Sequence, residues 1–158
     1  MVNTNFAISL LAPTSFQQIS AKTPATHLLD FSAEVPLQID IKRGETINVP
    51  VDIYGGTKVR DLDIVVTGSD LKQGAISADT EHPQLPQGFS IDLPIKHTKT
   101  PAMDEKTAHE KPLTRADMSI SVDNAVKPGV YAFAIHVIDD NPLGSEGSQI
   151  SYFYVNVE

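Results

Sequence analysis

Twenty carboxylates, five histidines and no cysteine set the chemical repertoire of this 158-residue chain. Without cysteine there is no thiol nucleophile, no thiolate zinc site and no disulfide framework. Asp139, Asp140 and Asn141 follow one another, with Glu146 close behind. Hard oxygen donors on a short loop are what calcium takes, so these four are the candidate metal ligands. The same Asp-Asn-Pro-Leu-Gly stretch also has the composition of an ordinary turn, and no EF-hand loop surrounds it. His82, His97 and His109 fall in or beside one polar stretch, with Met103 between the last two. They are donors for copper or zinc, yet no His-x-His or His-x₃-His spacing preorganises a pair. Gly144-Ser145-Glu146-Gly147 is one residue short of a serine-hydrolase elbow, and neither a phosphate loop nor a dinucleotide glycine fingerprint occurs. Asp40, Asp52, Asp63 and Asp92 sit at outward strand positions, where carboxylates are solvated and lack the concave site that separates an acid from a base. The reading is a protein that is not an enzyme, with no catalytic residue and no obligatory cofactor.

The charge balance narrows the partners. A formal net charge of −8 repels a polyanion, which excludes a nucleic-acid role without a segregated basic patch. No stretch reaches the roughly 18–20 apolar residues that cross a bilayer, so no membrane insertion is expected. Met1–Asn5 carries no basic residue ahead of the apolar run 6–12, so no secretory leader is read there. The expectation is a processed or excised piece. A length of 158 residues suits one domain, here read as 1–158.

The elements that would position these residues are strands. Leu37, Ile39 and Ile41 alternate with polar residues, as do Ile47, Val49, Val51 and Ile53, and Leu62, Ile64 and Val66. A period of two is the strand signature. Arg43-Gly44-Glu45 separates the first two runs, making 36–53 a strand–turn–strand unit. Pro50 lacks a ladder donor and argues for an edge or a bulge there. Phe89 to Ile95, Met118 to Val122 and Tyr131 to Val137 continue the pattern. Eleven prolines and nine glycines mark the boundaries and leave no room for long helices. The exception is the polar excursion 96–115. Thr100 as a cap, Pro101 in the first turn and Pro112 at the end suggest a short helix, or a loop, near 100–111. Several short alternating strands between Pro/Gly turns give an all-β antiparallel β-sandwich of about eight to nine strands.

The last run, 149–157, differs from the others because both of its faces are apolar or aromatic. Phe153, Val155 and Val157 occupy one face; Ile150, Tyr152 and Tyr154 occupy the other. A solvent-facing row should not be built this way. Either the amino-terminal residues 1–35 or the polar excursion pack on that face, or it meets another subunit, a neighbouring domain or a flat sugar surface. Ile150, Tyr152, Tyr154 and the nearby His136 are therefore the candidate interface. The apolar run near the amino terminus also raises strand exchange between subunits.

Three stretches resemble the immunoglobulin-like modules of the NEW3 type found in bacterial and archaeal surface proteins and secreted glycosidases. They are Ile41 to Val51 around Arg43-Gly44-Glu45, Leu85-Pro86-Gln87-Gly88-Phe89-Ser90-Ile91, and Lys127-Pro128-Gly129-Val130-Tyr131 with the strand that follows. The resemblance covers about 36–157. Phe89 stands where a tryptophan is common in that family, and the excursion is longer than its usual connection. In the third stretch Pro128 and Gly129 make a tight turn, and Tyr131 is placed for a tyrosine corner, a structural role. The resemblance implies an immunoglobulin-like fold and a structural or interaction module of a cell-surface or extracellular assembly. The alternatives are a carbohydrate- or calcium-binding accessory module and a small copper- or zinc-binding periplasmic-type protein.

Overall fold

Alternating side chains leave each ladder with one apolar face, and two such faces close on each other. The computed structural model describes residues 31–69, 80, 83–139 and 147–158. Among the described residues there are nine strands and one helix. They are β1 Ser32–Glu34, β2 Gln38–Ile41, β3 Thr46–Tyr54, β4 Arg60–Ser69, β5 Phe89–Asp92, β6 His97–Thr100, α1 Glu105–Glu110, β7 Thr114–Val122, β8 Gly129–Asp139 and β9 Ser148–Val157. A four-stranded sheet has the order β1-β3-β7-β5, and a five-stranded sheet the order β2-β9-β8-β4-β6. The protein is an immunoglobulin-like β-sandwich.

Between the sheets lie Val49, Val51, Ile53, Met118 and Ile120 from one side and Ile39, Leu62, Ile135, Phe153 and Val155 from the other, all at most 1% exposed. Phe133 and Phe153 stack at 5.3 Å between ring centroids, and Phe89 tilts against Tyr131 at 4.8 Å and Phe133 at 5.3 Å. Phe89 thus joins the aromatic cluster between the sheets. Each buried aromatic of this kind contributes several kcal/mol, since truncating one to alanine costs about 3–5 kcal/mol.

The runs 36–53 do not form a hairpin. β2 pairs in parallel with β9, whereas β3 pairs with β1 and β7 in the other sheet. The turn between them crosses the sandwich instead of closing a ladder. One strand earlier the chain crosses in the opposite sense, because β1 lies antiparallel to β3 and the next residues enter β2. Pro36 sits at that crossing and is buried; lacking an N–H, it cannot continue the β1 ladder. Ser151 Oγ donates to Ala33 O at 2.6 Å across the gap, tying β9 to β1. Pro50 lies beyond the reach of β1, which covers only Asp52 to Tyr54, so the sheet edge is open there among the described residues.

The polar excursion is shorter than the sequence suggests. His97–Thr100 is strand β6, paired with Arg60 to Asp63 of β4. Thr100 does not cap a helix: it is buried, accepts from Arg60 N and donates to Lys58 O, each at 2.9 Å. The cap is Asp104, which accepts from Thr107 N at 2.9 Å and Thr107 Oγ1 at 2.8 Å. Those two bonds hold the Asp104 carboxyl below its ordinary range. A β-branched threonine beside an edge strand finds more partners in the ladder than at a helix end.

Candidate functional site

The four residues of the candidate interface meet on the outer face of the five-stranded sheet. In the β8–β9 ladder His136 is opposite Ile150, Ala134 opposite Tyr152 and Ala132 opposite Tyr154. On the other flank of β8, Val65 of β4 is opposite His136 and Thr67 opposite Ala134. The central strand therefore presents Ala132, Ala134 and His136 as a low floor. β9 raises a wall of Ile150, Tyr152 and Tyr154 beside it, and β4 a lower one of Val65 and Thr67. The floor is buried, with Ala134 at 0% and His136 at 1% exposure, while Ile150, Tyr152 and Tyr154 are half-buried. Val130, at the near end of the same face, is 55% exposed.

His136 is the polar exception in that floor. Its Nε2 lies 2.9 Å from Thr67 Oγ1, and burial pulls its pKa below the usual histidine value. It does not stand at the surface as a contact residue; it supports the face from beneath.

The outer face of the four-stranded sheet has a different chemistry. Thr46 Oγ1 and Ser121 Oγ lie 2.7 Å apart, and Ser90 and Ser119 point the same way. Asp52 accepts a fork of two bonds from Arg115, at 2.6 Å from Nε and 2.8 Å from Nη2. The arrangement raises the Arg115 pKa, chiefly through those hydrogen bonds. Asp52 is only 3% exposed, so the expectation of a solvated carboxylate is wrong at that position. Tyr54 next to it donates to Glu34 Oε1 at 3.4 Å, and burial followed by the Glu34 charge pushes its hydroxyl pKa up.

Of the candidate calcium ligands, Asp139 ends β8 and lies 2.8 Å from Arg60 Nη1, with both side chains at most 3% exposed. The Arg60 guanidinium also stands 4.8 Å over the Phe31 ring, so this pair closes one end of the core. Asp140, Asn141 and Glu146 lie outside the described residues. Among the histidines, His97 on β6 bonds Asp63 Oδ1 through Nδ1 at 2.7 Å and brings Nε2 to 3.8 Å from Asp61. His109 is on α1, and His82 is outside the described residues. Among the described residues no group of three His, Asp or Glu side chains is arranged to hold a metal ion.

Tyr131 Oη donates to Lys127 O at 2.8 Å across the turn made by Pro128 and Gly129, with Gly129 at φ +152°. A cleft of about 520 Å³ opens where β4 runs past the end of β6, floored by Ile64 and Leu93 with Asp63 and Lys96 at its rim. Asp63 there is engaged by His97, and Lys96 Nζ donates to Leu93 O at 3.0 Å. Sequence reasoning missed the Arg60–Asp139 and Thr67–His136 pairs, which join residues 79 and 69 positions apart.

No protein-family model matches the chain, and no curated protein matches it by sequence. Among solved structures it is similar to a family 123 glycoside hydrolase from Clostridium perfringens, at 13% identity and a TM-score of 0.42, over 82% of this chain and 27% of the hydrolase. It is similar to the class 5 fimbriae chaperone CfaA at 11% identity and a TM-score of 0.42, over 78% of this chain and 55% of the chaperone. An ASH/PapD-like domain of human CEP192 aligns at 9% identity and a TM-score of 0.40, over 89% of this chain and 95% of that domain. At such identities the likeness concerns strand arrangement alone.

Proposed function

We propose that this β-sandwich is a non-catalytic interaction module that docks onto protein through the outer face of its five-stranded sheet. The asymmetry of the two outer faces carries the reading. One is hydroxyls, carboxylates and a guanidinium, as water favours; the other is a half-buried aliphatic–aromatic row on β9 above a floor of alanines. Apolar area with tyrosine at its centre is the composition of interface cores, where a few such side chains supply most of the binding energy. The resemblance of its Pro-Gly-x-Tyr strand to surface modules supports a place in a cell-surface or extracellular assembly, with a second copy or a neighbouring domain as partner.

Sedimentation velocity over rising concentration, on the wild type and on the Tyr152→Ser/Tyr154→Ser double variant, tests this. Self-association that weakens about tenfold or more in the variant, with its far-UV spectrum unchanged, is the expected result, since interface tyrosines cost over about 1 kcal/mol each when truncated. A wild type that stays monomeric and binds a glycan array in a tyrosine-dependent way would replace docking with carbohydrate recognition.

A further inference from the structure

We infer that His136 makes this docking face acid-sensitive: protonation of its imidazole loosens the packed face, so the module presents an intact surface near neutral pH and a disordered one in acid. The inference rests on the docking role of the outer face. β8 is the middle strand of five, and His136 is 1% exposed with Val65 on one side and Ile150 on the other. Its hydrogen-bond partner is the Thr67 hydroxyl, 2.9 Å from Nε2. A neutral imidazole needs one acceptor for one N–H. An imidazolium carries two N–H donors and a full charge, in surroundings that among the described residues offer a hydroxyl, two aliphatic chains and an alanine floor.

The charged groups around it do not reverse this balance. From β4, Asp61 and Asp63 point to the same face, and Asp63 lies opposite Ile138, one outward step from Val65. Asp63 is bonded to His97 of β6, and Lys99 of β6 lies 3.7 Å from Asp61, so both carboxylates are engaged by side chains of β6. From β9 the outward titratable groups are Tyr152 and Tyr154. Asp139, on β8 itself, is held by Arg60 at the end of the core. Desolvation is thus the dominant influence on His136, and it opposes the charged form. The sign follows. A histidine that binds its proton more weakly when folded contributes stability above about pH 6.5, and that contribution is lost as pH falls toward the folded value.

The experiment is an NMR titration of the imidazole resonances in the full chain, paired with urea unfolding at pH 7 and pH 5 for the wild type and His136→Gln. His136 titrating below about 6.5, with a larger drop in urea midpoint from pH 7 to 5 in the wild type than in the variant, is the expected result. Titration at or above that value, or equal drops in the two proteins, overturns it. If His136→Gln does not fold, the titration alone decides. Self-association at pH 7 tests the docking face separately, so its loss leaves the titration result standing.

Discussion

Gly44 and Gly88 show how far single positions constrain the chain. Both take left-handed backbone, at φ +81° and +89°. A Cβ on Gly44 would meet the amide of Asn124, the far end of an exposed side chain that can swing away. A Cβ on Gly88 would run into Cγ2 of Val126, a stiff branched side chain that is 6% exposed. Gly44→Ala is expected to cost about 1–2 kcal/mol, the price of a left-handed L-residue. Gly88→Ala should lose that and about 1–3 kcal/mol more for overpacking. Urea midpoints of the two variants check the order; equal losses would mean that Val126 yields as easily as Asn124. Gly44 was visible in sequence as a turn residue between alternating runs, whereas Gly88 entered only within the stretch Leu85 to Ile91. The burial of Asp52 was not visible. Alternation tells which face a side chain points to, but nothing about the Arg115 fork that accompanies it there.

Elements were legible wherever alternation ran for five residues or more, as in β3, β4, β7 and β8. β1 and β6 are three and four residues long, below what a periodic pattern can reveal, and β6 is written in His-Thr-Lys-Thr. Pairing was the harder matter. Neighbouring strands in sequence suggest a hairpin, whereas β2 and β3 belong to different sheets because the turn at Gly44 carries the chain across the core. The junction of β4 with β8 offers a test at this scale. Arg60 and Asp139 bring the two strand ends together at 2.8 Å, with the guanidinium over the Phe31 ring. Arg60→Met removes the guanidinium from a carboxylate that is 1% exposed and is expected to destabilise by about 3–5 kcal/mol. The Arg60→Met/Asp139→Leu pair should recover much of that loss, because the desolvated charge goes with it. Thermal unfolding followed by circular dichroism distinguishes the cases; a double variant no better than the single one would show that the pair supports more than its own charges.

At the scale of the whole molecule the ladders join distant parts of the chain. β2 pairs with β9, so Asn156 reaches Asp40 across 116 residues, and Asp52 meets Arg115 across 63. Closing such loops precedes any gain from the contacts they make. Folding is therefore expected in milliseconds to seconds, as for other sandwiches rich in non-local pairing, and stopped-flow fluorescence of the tyrosines measures it. A microsecond phase carrying the full amplitude would contradict the topology. The fold class was readable from composition and period because an antiparallel sandwich repeats one local pattern. The proposed docking face was half-readable: the row on β9 is local, while the alanine floor that flanks it belongs to a strand about twenty residues earlier.

The parallel pairing of β2 with β9 also has a mechanical consequence. Their bonds lie side by side along two strands that run the same way. Tension applied between the start of β2 and the end of β9 therefore slides one strand along the other. All the bonds of the ladder then share the force at once, where an antiparallel hairpin pulled from its open end would part bond by bond. A module strung between neighbours would hold its shape under stretch through these four residues, and would yield abruptly once they slipped.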